Sequence, residues 1–359
     1  MTVLDRYITR EFFLTFLFVL LALLFVYLLV DFFERSRMFL SNSATLEQIL
    51  SYHLYTLPQI LGIMLPASVL LSALITFGLF SRNQEIVAMK ANGISLYRIA
   101  RPVFVFALVI CGLNFLLNEY VTPAANWRSE QIVYAEIQKN KEWGSFKQNQ
   151  IWYKSENAIY NFKLFVAAED RLKGVTINYL DPQFHLSMRI DAREAIWKDD
   201  HWELHDVLRT TFAGKEFPLF ERLPSLAADI AEKPEDFRVV QKSADQMGFS
   251  ELRNYVRKLG REGYDVVPYE TDLYGKIAFV FVSLILALIG VAFPVRSERS
   301  GGIVWGIAIG GIIGFSYWIV FAFMRSLGQS GTLPPVIAAW AANFILGVIA
   351  VVAFRKVSA

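Results

Sequence analysis

Six apolar runs punctuate this chain, three before a long polar stretch and three after it. They fall at roughly 12–32, 57–80, 99–118, 275–295, 303–325 and 334–354. Each holds about 20 residues, and at about 1.5 Å per residue a helix of that length crosses a hydrocarbon core of about 30 Å. The pattern predicts six transmembrane helices. The second run contains Pro58, Gly62 and Pro66, so a kink is expected, with neighbours satisfying the carbonyls that proline frees. Leu4–Phe13 mixes charge with Tyr7, Ile8, Phe12 and Phe13, a pattern expected to run along the interface before turning into the bilayer. Asp31-Phe32-Phe33-Glu34-Arg35 follows the first run in place of a small-residue cleavage site, which predicts an uncleaved anchor.

The polar stretch from Glu119 to Tyr269 changes period. Val175-Thr176-Ile177-Asn178-Tyr179 alternates, and after a turn at Asp181-Pro182 so do Phe184, Leu186, Met188 and Ile190. A period of two predicts half-buried strands. A second turn at Asp199-Asp200 separates Ile196-Trp197 from Trp202 and Leu204, and Ile151–Tyr153 and Ala158–Val166 add earlier strands. Short antiparallel strands in succession suggest a sandwich, jelly roll or open barrel. Ser250–Arg261 then returns to helical spacing, with Leu252, Tyr255, Val256 and Leu259 on one face, Ser250 as N-cap, and Gly260 or Gly263 as stop. The expected organisation is helices 1–3 over 1–121, an all-β, jellyroll-like domain over 122–248, a helix and linker over 249–270, and helices 4–6 over 271–359.

Charge placement orients the spans. Arg6 and Arg10; Arg82, Lys90, Arg98 and Arg101; Arg296 and Arg299; and Arg355 and Lys356 share one side, against Arg35, Arg37 and Arg325 on the other. The positive-inside rule puts the richer side, and both termini, in the cytoplasm. The β domain then lies outside, which in a Gram-negative cell is the periplasm. Composition agrees with membrane residence: 55% of the 359 residues are hydrophobic, and mean hydropathy is +0.38. A net charge of +2 gives no reason to expect nucleic acid. The one cysteine, Cys111, lies in an apolar run, so the polar domain has no disulfide to rely on.

Candidate chemistry is sparse. No Walker A sequence is present, so a powered transporter needs a separate ATPase. No Asp, Glu, His or Arg stands well inside a span, which argues against a proton-coupled secondary transporter. No nucleophile or carboxylate pair points to an enzyme acting on envelope lipids. His201, Glu203 and His205 share one face of a strand, and a solvated face explains them better than a metal site. Asn114 and Asn343 are expected to make hydrogen bonds between helices. Gly302, Gly306, Gly310 and Gly314 recur every four residues on one face, a seam for close packing or for a gate that opens. Gln84–Asn92 predicts a short amphipathic helix ended by Gly93, either lying on headgroups or docking into a soluble partner through Glu85.

The chain resembles the lipopolysaccharide export permeases of the LptF/LptG family. The residues that carry the resemblance are Leu4–Ile8, Glu85–Ser95, Glu119-Tyr120-Val121-Thr122-Pro123 and Leu333-Pro334-Pro335, with the LptG type nearer. The resemblance implies a non-catalytic permease subunit that binds no cofactor, with ATP and magnesium used by a partner LptB ATPase dimer. It implies pairing with an LptF-type permease, transfer of lipopolysaccharide from the inner membrane to LptC and LptA, and entry between the first span of one permease and the fifth of the other. The ATPase contact implied is Glu85, Ile86, Met89, Lys90, Ala91 and Gly93. Arg35, Arg37 and Arg128 are the expected contacts to substrate phosphates.

Overall fold

The computed structural model describes residues 2–139, 151–154, 158–166, 169–181, 185–198, 201–212, 217–228, 230, 233–234, 243–261, 265–296 and 303–358. Two compact units emerge: Met1–Val133 with Ala244–Ala359, and Tyr134–Ser243. Pro182, Phe184, Asp199, Asp200, Gly263, Arg299 and Gly302 lie outside the described residues.

The first unit is helical. Helix α1, Val3–Ser41, runs unbroken for 39 residues, about 58 Å at helical rise. It overruns a bilayer core, and the expected turn after Phe13 is absent. Thr2 and Asp5 start it with a reciprocal capping box, and no glycine or proline interrupts it. Helix α2, Leu46–Arg82, opens on a second capping box at Thr45 and contains Pro58 and Pro66. Helix α3 is Glu85–Ala91. Helix α4, Leu96–Leu116, continues through a π-helical turn at Leu117–Val121 into α5, Thr122–Gln131, and a second π-helical turn at Ile132–Ile137. Residues 122–133 therefore belong with the helices, and the β unit begins later than expected. Pro123 sits in the first turn of α5, where its missing N–H costs nothing.

After the β unit come α6, Phe249–Arg261; α7, Val267–Val280; α8, Val282–Arg296; α9, Ile303–Gln329; and α10, Pro335–Ser358. Ser250 lies inside α6, one residue past its start. Among the described residues five helices are long and apolar enough to span a membrane, and six if α7 and α8, bent by 41°, form one span. That bent pair is the expected fourth span. Helix α2 runs through the middle, against α1, α8 and α9. Its contact with α8 is close: a Cβ on Gly290 would lie 2.9 Å from the Leu70 carbonyl oxygen.

Both isolated asparagines bond between helices, each at a flaw in a neighbouring ladder. Asn114 Nδ2 donates to the Gly62 carbonyl at 3.1 Å, the group that Pro66, four residues on, has no N–H to reach. Asn343 Nδ2 donates to the Ala278 carbonyl at 2.6 Å, beside the α7–α8 bend, and accepts from the Tyr317 hydroxyl at 2.8 Å.

The second unit carries six strands in one antiparallel sheet: β1 Ile151–Lys154, β2 Ala158–Val166, β3 Arg171–Leu180, β4 Leu186–Lys198, β5 His201–Thr211 and β6 Leu219–Ala228. The order is β1-β2-β3-β4-β5-β6. This is a meander with no Greek-key crossover among the described strands. Strand β6, with Pro224 inside it, was not expected from the sequence. One transverse row interrupts the ladder. Pairs on either side of Lys163, Gly174, Arg193, Asp206 and Pro224 are in register, while the pairs along that row do not form. Gly174 and Asp206 there have φ of +65° and +54°, which turns each strand over. Buried positions change parity across the row, from Leu204 to Val207 and from Leu172 to Val175. The apolar side thus stays buried on both halves of a bent sheet.

Candidate functional site

One end of the helical unit gathers the N-terminus, α3 and the C-terminus of α10. Gln84 enters α3 with φ of +59°, and Gly93 leaves it with φ of +79°, a left-handed exit that glycine adopts without strain. The helix divides into two faces. Ile86 is 1% exposed and belongs to the main apolar core, with Met89 packed against it. Val87 is 45% exposed, and Ala88, Ala91 and Gly93 are exposed too. Glu85 is held by the Tyr7 hydroxyl at 3.0 Å and the Asn83 amide at 3.4 Å. Lys90 Nζ donates to the Val357 carbonyl at 2.9 Å, near the end of α10. Arg98 at the start of α4 donates to Asp5 Oδ2 at 3.1 Å and Thr2 Oγ1 at 3.2 Å. So α3 is hydrogen-bonded to α1 through Glu85 and to α10 through Lys90.

Of the six residues expected on this helix, Ile86 faces the fold. Met89 is partly so, and Glu85 and Lys90 are tied to other helices. The exposed apolar row adds Val87 and Ala88, which sequence reasoning did not single out, although their spacing from Ala91 places them on one side.

Two glycines of the α9 row, Gly310 and Gly314, close onto this chain itself. A Cβ on Gly310 would meet the Leu74 side chain at 2.5 Å, and one on Gly314 would collide with Leu70. Gly306 lies in the same helix, and its surroundings are outside the described residues. A different face of α9 is left uncovered in this chain, since Ile312, Phe315, Ile319 and Phe323 are each more than 60% exposed. A shallow groove lined by Ala308, Gly311, Phe315 and Ile319 runs along that face. Helix α1 offers a matching outward row in Phe18, Leu21 and Phe25.

The three expected cations stand apart from one another in their contacts. Arg35 donates to Asp31 at 3.2 Å and lies over the Tyr52 ring at 4.9 Å. Arg37 is exposed on α1, and Arg128 on α5 donates to Gln131 at 2.8 Å. His201, Glu203 and His205 do share the less buried face of β5, opposite Trp202 and Leu204.

A cluster unforeseen from the sequence occupies the other end of the unit. Arg325 Nε donates to Asp272 Oδ1 at 2.6 Å, Gln329 Nε2 donates to the same oxygen at 2.8 Å, and Arg325 lies 3.9 Å from Asp245. Asp245, Asp272 and Arg325 border a cavity of about 320 Å³ between α2, α4–α5, α7 and α9. Next to it the chain's departure and return are clasped. The Glu119 carboxylate accepts from the backbone N–H groups of Phe249 and Ser250, capping α6 where four N–H groups lack helical partners. Asn126 Nδ2 donates to the Asp245 carbonyl at 3.1 Å.

Membrane-length apolar helices, an antiparallel sheet inserted between the third and fourth spans, and a short exposed helix at one end define the class: a multi-span membrane permease with an inserted β unit. The family model described as "Lipopolysaccharide export system permease LptF/LptG" matches residues 6–356. The chain belongs to that family. Lipopolysaccharide export system permease protein LptG of Escherichia coli (strain K12) is 25% identical over 348 residues, covering 94% of this chain and 93% of that protein. LptG of Haemophilus influenzae is 25% identical over 338 residues, covering 92% and 91%. LptF of Escherichia coli (strain K12) is 23% identical over 354 residues, covering 92% and 90%. The similarity leans to the LptG type.

Proposed function

We propose that this chain is the LptG-type, non-catalytic half of an ATP-driven lipopolysaccharide exporter in the Gram-negative inner membrane. The observation that carries the reading is α3. It is a short helix with an exposed apolar row, locked through Glu85–Tyr7 and Lys90–Val357 to the helices on either side, in a chain whose whole length matches the permease family. A cytoplasmic LptB-type ATPase dimer grips the Val87–Ala91 row. Closure of the ATPase on ATP displaces α3, and the clamps pass that displacement to α1 and α10. The positive-inside bias puts α3 in the cytoplasm and the sheet in the periplasm.

An LptF-type permease pairs across the outward rows of α1 and α9. Apolar packing without interlocking charge leaves these rows free to part and reclose, which admits a multi-acyl lipid sideways. Lipopolysaccharide then passes to the β unit and on to LptC and LptA. The test is co-purification. The wild-type chain, expressed with its neighbours, retains an ATPase, and Glu85→Arg together with Val87→Glu releases it and stops export. A variant that keeps both the ATPase and export overturns the assignment of α3.

A further inference from the structure

A groove of about 650 Å³ lies between the start of α1 and the first half of α4, at the end of the helical unit that carries α3. That size is within the range of small-molecule pockets, about 300–1,000 Å³. Its mouth is basic. Arg98 and Arg101 both line it, and Asp5 is the one acid among the lining residues. Asp5 is already answered, because its Oδ2 accepts from Arg98 Nη2 at 3.1 Å and from the Thr2 N–H at 2.9 Å. Arg98 spends only Nη2 on these contacts, and its other nitrogens have no hydrogen-bond partner among the described residues. Arg101, exposed one turn further along, makes no ion pair or hydrogen bond among them. One positive charge is thus left over at the mouth. The N-termini of α1 and α4, capped by Thr2 and Ser95, bring the positive ends of two helix dipoles to the same place.

Beyond the mouth the groove turns apolar. Arg101, Val105 and Val109 follow one another at four-residue spacing and so share a face of α4. Val105 and Val109 are 56% and 62% exposed, so the groove offers them as open surface. Phe106 forms its wall, fixed edge-on against Phe12 and Phe16. Because α4 runs from here into its apolar span, the spare cation stands at headgroup depth and the valines at acyl depth. A small anion would answer the cation and leave the valines bare. An apolar helix would cover the valines and leave the cation unanswered.

We infer that this groove binds an anionic glycerophospholipid. The phosphate lies on Arg101 and the free side of Arg98, and one acyl chain lies along Val105, Phe106 and Val109. Basic pockets between membrane helices on the cytoplasmic side suit such headgroups. Naming that leaflet the cytoplasmic one rests on the permease orientation above.

The test uses the assembled complex in phosphatidylcholine vesicles containing a minor share of phosphatidylglycerol. A benzophenone side chain at position 109 reports on the groove. One at position 116, where Leu116 is 53% exposed on the same helix, reports on bulk lipid. Adducts are identified by mass. Position 109 captures phosphatidylglycerol several-fold above its share of the vesicle, and position 116 captures it at that share. Arg101→Gln lowers the enrichment at 109 about fivefold, the equivalent of about 1 kcal/mol for one interfacial arginine. Arg101→Lys keeps most of it. Val105→Trp fills the groove and lowers capture at 109 with the charge intact. Equal enrichment at both positions overturns the site, as does enrichment unchanged by Arg101→Gln. A polypeptide adduct at 109 in place of lipid, displacement by inorganic phosphate, or preferential capture of added diphosphoryl lipid A overturns the choice of ligand. Failure here leaves ATPase retention and export by the wild type intact. Failure of the permease reading removes those and leaves the enrichment at 109 in place.

Discussion

Asn114 supplies to the Gly62 carbonyl the hydrogen bond that Pro66 cannot make. Its Oδ1 in turn accepts from Asn118 Nδ2 at 2.7 Å, so the donor is held in place by a residue one turn along. A proline in the central helix of a bundle is thereby tolerated, at the cost of dependence on one side chain 52 residues beyond the freed Gly62 carbonyl.

Asn114→Leu is expected to destabilise the detergent-solubilised protein by about 1–2 kcal/mol, the scale of a buried or intramembrane hydrogen bond. The same substitution in a Pro66→Ala background should cost clearly less, because an alanine there has a backbone N–H that can donate to the Gly62 carbonyl itself. Unfolding of the four proteins of this cycle measures the coupling. Equal losses in both backgrounds refute the link.

The two faces of α3 separate fold from docking. Ile86→Ala removes a fully buried side chain and should lower stability by about 2–4 kcal/mol. Val87→Ala should leave the melting temperature nearly unchanged while weakening ATPase retention. Thermal melts run beside pull-downs distinguish the two. A Val87→Ala protein that melts early contradicts the exposure of that face.

Glycine matters most where backbone meets backbone. Gly290→Ala drives a methyl group towards the Leu70 carbonyl and the Ala73 Cβ, and α2 cannot rotate that carbonyl away. A loss of about 1–3 kcal/mol follows. Gly311→Ala meets nothing within 4 Å and should be neutral or slightly stabilising, because alanine favours helix. Parallel melts of the two variants decide it.

The sheet carries a pH-sensitive contact. Burial raises the Asp191 carboxyl pKa, but the Arg189 guanidinium and the Thr176 hydroxyl outweigh that, and the net value is lowered. A group whose folded pKa is depressed contributes stability above its unfolded value, about 3.9, and loses it as pH falls through the folded value. Wild-type β structure should therefore weaken on acidification below about pH 4. Asp191→Asn should be less stable at neutral pH and lose the Asp191-dependent part of that slope. Circular dichroism at 215–220 nm across roughly pH 2–7 follows both.

The spans were readable because twenty consecutive apolar residues admit few other structures. The extension of α4 to Ile137 was not. Thr122–Gln131 is polar in sequence and opens on Pro123, which reads as a break until its place in a first turn is seen. Pro66 and Asn114 were each readable as needing a partner, yet nothing local joins positions so far apart. Asp272 escaped notice because it stands just before the apolar window, and its partner Arg325 lies 53 residues further on. The glycine period of α9 pointed to a close-contact face or a gate, and at Gly310 and Gly314 it meets Leu74 and Leu70. Its partner was visible only in the structure, since Leu70 and Leu74 belong to a helix far away in sequence. Alternation located five strands, while Pro224 concealed the sixth.

The clasp of Glu119 on the first turn of α6, with Asn126 on Asp245, brings the departing and returning chain together at the edge of the helical unit. A segment hung from two adjacent anchor points is a cassette. It can lengthen, shorten or be exchanged between related chains while the helices beneath keep their register, because loop closure there is already accomplished by the anchors. The place to graft a foreign β unit, or to excise this one and rejoin the ends with a short glycine-rich bridge, is therefore just beyond Val133 and just before Ala244.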